Sequence, residues 1–167
     1  MILPQRLQRV TSPLHPTIYA YTKGTGTVEY LTSLLNSAGQ GKCTTVFLDL
    51  EKARALMRFQ GHNSLPHYHE YGTSQGSAIS PYLFNTLAKA FLEFPLPRSC
   101  EHITYADDIT LVCTGRYHHT HSQRSLNLID RRCHELGLKL NLNKSKAMAF
   151  GSPVPDTPLI TAGTAVE

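Results

Sequence analysis

Apolar positions along this chain follow two rhythms, one near every second residue and one near every 3.6, and the switches between them lay out the elements. Val28, Leu31 and Leu35 share one helical face and predict a helix over Val28–Asn36. Thr27 can cap it, Glu29 suits the positive end of its dipole, and Gly39-Gln40-Gly41 ends it. Thr44–Leu50 is an apolar, β-branched run bearing one acid, and reads as a buried strand with Asp49 near its end. Arg58–Gly61 and His67–Tyr71 read as two short strands that turn at Asn63-Ser64-Leu65-Pro66. Ser80 suits an N-cap and Pro81 a first helical position, and Phe84, Leu87, Ala88 and Phe91 then repeat with helical spacing until Pro95 and Pro97. Two runs rich in β-branched residues follow, His102–Tyr105 and Ile109–Cys113, with Asp107 and Asp108 between them, which predicts a tight hairpin with carboxylates at its tip. A third helix spans about His119–Leu136, with Leu126, Ile129, Cys133 and Leu136 on one face and Gly137 as its end cap. Lys146–Phe150 reads as a last strand.

The order strand, helix, strand, strand, helix, strand defines an α+β domain and is the split βαβ pattern of a ferredoxin-like sheet. In that topology the end of the first strand lies beside the central hairpin, so Asp49 and Asp107 can face one point. The segments outside this core are less regular. Residues 1–16 are basic, carry prolines at 4, 13 and 16, and read as an N-terminal tail. Tyr19–Thr27 contains Gly24 and Gly26 and reads as a loop, and the folded unit is assigned to residues 17–150. Residues 151–167, with prolines at 153, 155 and 158, read as an unpacked C-terminal tail.

Composition adds bounds. The 167 residues suffice for one domain with its own core, and 41% hydrophobic content is ordinary for a globular chain. Sixteen basic against twelve acidic residues give +4, which permits a nucleic-acid partner without requiring one. No run approaches the ~18 apolar residues of a membrane span, and Met1–Arg6 lacks a signal peptide's apolar core, so an intracellular protein with no membrane partner is expected. Four cysteines without Cys-x-x-Cys spacing, three of them (Cys43, Cys113, Cys133) in apolar patterns, favour reduced core thiols. Of the nine histidines, His67 and His69 alternate on a strand and His118, His119 and His121 cluster before a helix. With no Cys or acid at zinc-site spacing, all read as exposed.

The chemistry gathers at Thr104-Tyr105-Ala106-Asp107-Asp108-Ile109. Adjacent carboxylates repel, which is tolerable when both are solvated or when a divalent cation lies between them and a third acid. Tyr105-Ala106-Asp107-Asp108 is similar to the Tyr-x-Asp-Asp box of reverse transcriptases. Gly72-Thr73-Ser74-Gln75-Gly76-Ser77-Ala78-Ile79-Ser80-Pro81-Tyr82-Leu83-Phe84-Asn85 resembles the Gln-Gly-Ser…Ser-Pro…Leu-Phe-Asn box of the same family in its non-LTR retrotransposon form. Val46–Ala53 resembles the first-acid box, and Asn141-Leu142-Asn143-Lys144-Ser145-Lys146 the later lysine box. The four boxes occur in the family's order and span roughly Tyr19 to Phe150.

The resemblance implies a polymerase palm with partial fingers, acting as an RNA-directed DNA polymerase on an RNA template with a DNA primer and dNTPs. It implies that Asp49, Asp107 and Asp108, with the Leu50 carbonyl, hold two Mg²⁺ ions, for which Mn²⁺ can substitute. By the same resemblance Gln75, Gly76 and Ser77 lie against the nucleotide and template, Tyr105 packs near the primer end, and Lys144 serves the leaving pyrophosphate. Departures from the family pattern are local. Thr22 stands where the fingers stretch has an arginine, and Arg54 stands where an aromatic rejects the ribose 2′-hydroxyl. Only 26 positions (75 − 49) join Asp49 to Gln75, short enough that a helical stretch is missing, and an internal deletion near Arg54–Leu56 accounts for it. No thumb segment follows the lysine box, so a truncated domain is expected.

Overall fold

Alternation along the two central strands decides the layout. In the computed structural model, which describes residues 14–39, 41–50, 58–59, 62–63, 80–153 and 157–166, strand β1 (Cys43–Leu48) lies between β5 (Asp108–Thr114) and β6 (Lys146–Phe150). Strand β4 (Cys100–Tyr105) completes a four-stranded antiparallel sheet in the order β4-β5-β1-β6. Val46 and Leu48 of β1, with Ile109, Leu111 and Cys113 of β5, point to one face and enter the main core. Cys43 and Thr45 of β1, with Thr110 and Val112 of β5, point to the other.

Helices cover both faces. Helix α2 (Ser80–Leu92) brings Ala88, Phe91 and Leu92 to the main core, and α3 (His118–Glu135) brings Leu126, Ile129 and Cys133. Both present the apolar stripes read from the sequence. Arg132 of α3 ties the two by donating to the Ala90 carbonyl at 2.7 Å. Gly137, at φ 68°, ends α3 as predicted, with the Leu138 N–H returning to the Cys133 carbonyl at 2.8 Å. Helix α1 (Thr27–Ala38) covers the opposite face.

The span of α1 matches the periodicity, but its buried face does not. Tyr30 and Ala38 are buried and Leu34 packs beside them, whereas Val28, Leu31 and Leu35 are exposed. The sheet face beneath carries small and hydroxyl-bearing residues, and the Tyr30 hydroxyl meets Thr110 Oγ1 there at 2.6 Å. A tyrosine satisfies that surface better than an aliphatic stripe would. Thr27 is not the cap; Gly26 is, and its N–H donates to the Glu29 carboxylate at 2.8 Å. Residues 17–19 add to the outer edge of β4 through Thr104, and Asn85 of α2 fastens them by donating to the Ala20 carbonyl at 3.1 Å.

Four other expectations are corrected. Strands β2 (Arg58–Phe59) and β3 (His62–Asn63) pair with each other, so Asn63, read as the start of a turn, lies in a strand; residues 64–71 lie outside the described residues. The C-terminal stretch is not unpacked, because β7 (Leu159–Thr161) and β8 (Thr164–Val166) form a hairpin whose Leu159 and Val166 join the main core. Gln123 of α3 holds the β7 backbone in strand-like fashion, accepting from the Ile160 N–H at 2.8 Å and donating to its carbonyl at 2.6 Å. Cys100 and Cys113 are joined in a disulfide, leaving Cys43 and Cys133 as buried thiols. The pair sits directly across β4 and β5, where the strand register brings two such residues together. His118 is buried rather than exposed, bonded to Thr44 at 2.6 Å and Ser152 at 3.3 Å.

Strands β1 and β6 meet beyond their ends at two glycines. A Cβ on Gly151, whose φ is 65°, would lie 2.7 Å from the Gly41 carbonyl oxygen. Both the left-handed backbone and the contact with rigid main chain oppose a side chain. Gly151→Ala is expected to lower unfolding stability by about 2 kcal/mol in urea denaturation.

Candidate active site

The hairpin places its acids by a two-residue turn. Tyr105 and Asp108 are the last cross-strand pair of β4 and β5, leaving Ala106 and Asp107 at the tip. Ala106 takes a left-handed φ of 52°, the backbone feature that closes so short a turn. On the neighbouring strand Leu48 opposes Ile109, so Asp49, the next residue, lies beside Asp108 at the sheet's end. Asp49 thus continues the face of Cys43, Thr45 and Phe47, the same face as Asp108 and Thr110.

Electrostatics register this convergence. The Asp108 carboxyl is pushed above the usual carboxylate range, first by partial burial, then by the negative charge of Asp107, and then by that of Asp49. Opposite charge comes from Lys144, in the turn before β6, whose Nζ lies 3.8 Å from Asp49 Oδ2. Leu50 pairs with Leu140 in an isolated bridge that seats this turn against the end of β1.

Aromatic residues wall one side. The Tyr105 ring lies 5.6 Å from that of Tyr30, which in turn lies 6.1 Å edge-on to Tyr19, and the Tyr105 hydroxyl accepts from Thr27 at 3.2 Å. Burial raises the Tyr30 hydroxyl's pKa; the bond to Thr110 opposes that, and the Asp108 charge adds to it. The Tyr30 phenol therefore stays neutral beside the acids.

Asp49, Asp107, Asp108 and Lys144 are brought together, with Tyr105 at their margin. Gln75, Gly76 and Ser77, and Arg54, lie outside the described residues. Reading the sequence missed Tyr30, Thr27 and Thr110, which carry no motif. It also passed over Asn141 and Ser145, although both belong to the lysine box. The Asn141 N–H donates to the Asp49 carbonyl at 2.8 Å, and the Asp49 N–H donates to Ser145 Oγ at 3.3 Å.

Among the described residues, no three His, Cys, Asp or Glu side chains are arranged to hold a metal ion. The donor chemistry nevertheless fits a hard dication. The side-chain donors of the three aspartates are all oxygen, their charges repel, and Mg²⁺ in phosphoryl-transfer sites needs only one or two carboxylates, the remaining positions going to water and substrate phosphates.

The site is thus an acid pair at the end of an antiparallel hairpin, beside a strand-end aspartate and a lysine. The chain matches reverse transcriptase (RNA-dependent DNA polymerase) over residues 51–157, more than half its length, and it belongs to that family. The matched span begins just after Asp49 and takes in Tyr105, Asp107, Asp108 and Lys144. No curated protein is similar enough to count as a relative. Membership carries with it a palm-like α+β fold, RNA-directed DNA polymerase activity by family resemblance, a general use of divalent metals, and template–primer and nucleotide partners. Among the described residues no helix is long and apolar enough to cross a membrane.

Proposed function

We propose that this chain is the palm and partial fingers of a non-LTR-type retroelement reverse transcriptase, internally shortened after Asp49, that joins a dNTP to a primer 3′-hydroxyl on an RNA template. In this reading the sheet order β4-β5-β1-β6 with α2 and α3 on one face is the split βαβ, ferredoxin-like core. Its chief support is the strand register that sets Asp49 beside Asp108, with Asp107 next along at the hairpin tip.

Asp49, Asp107 and Asp108, with the Leu50 carbonyl, would hold two Mg²⁺ ions, and Mn²⁺ would serve in their place. When bound, such ions lower the pKa of the attacking hydroxyl and offset the charge of the leaving pyrophosphate. The protein supplies the rest. Tyr105 packs near the primer end, and Gln75-Gly76-Ser77 lies against nucleotide and template, where Gly76 admits close backbone approach. Lys144 holds a proton at Nζ beside the departing phosphates.

The test is extension of a DNA primer on an RNA template by the purified chain in Mg²⁺, with EDTA and Asp107→Ala as controls. Extension lost in both controls supports the reading. Extension that survives Asp107→Ala removes the assignment of the chemistry to this acid cluster, and no extension by the unaltered chain removes the reading in favour of a non-catalytic retroelement remnant.

A further inference from the structure

The turn that carries Lys144 is tied to the backbone of Asp49 at two points. Asn141 donates to the Asp49 carbonyl at 2.8 Å, and Asp49 donates to Ser145 Oγ at 3.3 Å. Ser145 is 1% exposed, and its hydroxyl passes on to the Asn141 carbonyl at 2.9 Å. The N–H groups of Lys144 and Ser145 close on that same carbonyl, each at 3.1 Å. Lys144 therefore leaves the chain from a fixed point beside the strand-end acid. The two partners differ in freedom, because the lysine side chain is 70% exposed and that of Asp49 25%. The ammonium is thus the solvent-facing partner and the carboxylate the enclosed one.

We infer that Lys144 is an exchangeable counter-ion of Asp49, seated on the carboxylate until a divalent cation takes its place and then free for an anionic phosphate on the incoming substrate. This rests on Asp49 being a cation ligand, as proposed above. Concentrated negative charge at Asp49, Asp107 and Asp108 favours a resting cation, and among the described residues Lys144 is paired with Asp49. A dication on the same oxygen outcompetes a monocation through its larger charge, and repels it at such short range. The displaced ammonium remains on its tether, so cation arrival and phosphate recognition become one linked event instead of two independent ones. An ordinary surface pair would be incidental, but here the turn's hydrogen bonds to the Asp49 backbone set where the lysine starts.

The experiment measures Mn²⁺ binding to the full chain, without nucleotide, from the electron paramagnetic resonance of free Mn²⁺. Lys144→Gln is expected to bind Mn²⁺ about fivefold more tightly than the unaltered chain at low salt, the size of one lost surface ion pair. Lys144→Arg keeps the charge and should stay within about twofold of it. The advantage of Lys144→Gln should shrink as ionic strength rises, which a purely structural effect would not do. Unchanged affinity in Lys144→Gln, with binding abolished in Asp49→Asn, overturns the counter-ion role and leaves the cation site standing. Equal binding by Asp49→Asn and the unaltered chain, or binding by neither, overturns the cation site and the counter-ion role with it. The side chain of Lys144 is exposed, so circular dichroism should show the same fold in every Lys144 variant.

Discussion

Asp49→Ala and Asp107→Ala should each lower Mg²⁺-dependent primer extension at least about a thousandfold, equivalent to about 4 kcal/mol of transition-state stabilisation. Asp108→Ala should lose less, about ten- to a hundredfold, because an acid one residue along from Asp107 cannot share its direction and the resemblance gives it the third place. The fold should survive all three. Asp49 meets the lysine-box turn through its backbone N–H and carbonyl, which alanine retains. Asp107 is an exposed turn residue, and Asp108 opens β5 as an exposed residue whose carboxylate is only partly desolvated. Single-turnover extension assays, with circular dichroism on each variant, check both halves. Equal, small losses at all three positions would reduce the acids to general electrostatic attraction and remove their role as cation ligands.

Acid should weaken the protein through His102. This side chain is 8% exposed, stacked between the rings of His15 and Phe94, and its Nε2–H donates to the Leu92 carbonyl at 3.1 Å. Burial pulls its pKa down from 6.5 to about 4, against the opposing effect of the Leu92 bond, with His15 adding to the fall. The unfolded chain therefore takes up the proton first. Stability linked to His102 is intact above pH 6.5, falls as the pH drops from 6.5 towards about 4, and levels off below that. Across that window the loss is about 3 kcal/mol. Urea denaturation of the unaltered chain and of His102→Gln at several pH values isolates it, since the other titrating groups are common to both. Parallel curves for the two proteins would mean that His102 titrates alike in the folded and unfolded chains.

Where the sequence was read correctly, local and global signals agreed. The stripes of α2 and α3, the Gly137 cap, the hairpin and the last strand each follow from spacing, because the large apolar residues there have one face on which to be buried. α1 failed that logic. Its aliphatic stripe is a better helical pattern than Tyr30, Leu34 and Ala38, yet the surface beneath is built of Cys43, Thr45, Thr110 and Val112, and that surface became visible only once strand pairing was known. The buried histidines follow the same rule, since the partners of His102 and His118 come from distant segments. The disulfide differs, because its signal was present. A two-residue turn at Ala106-Asp107 fixes which residues oppose each other, and that register puts Cys100 across from Cys113. The C-terminal hairpin was hidden by three prolines that precede two short strands. At the site, the acids and Lys144 were legible as motifs, whereas Asn141, Ser145 and Tyr30 act through hydrogen bonds and ring contacts that no motif encodes.

The two-residue turn also sets how this chain can vary without losing its site. Side chains on β4 and β5 alternate between the α1 face and the main core, and the turn fixes the parity of that alternation. One residue inserted between Asp108 and Ile109, with no bulge to absorb it, would send the β5 residues beyond it to the wrong sides, aiming Thr110 and Val112 into the main core and Ile109 and Leu111 at α1. Two inserted residues would keep every face and lengthen only the tip. Odd length changes within β5 are thus opposed unless a bulge or a longer turn absorbs the extra residue, whereas even ones keep the faces.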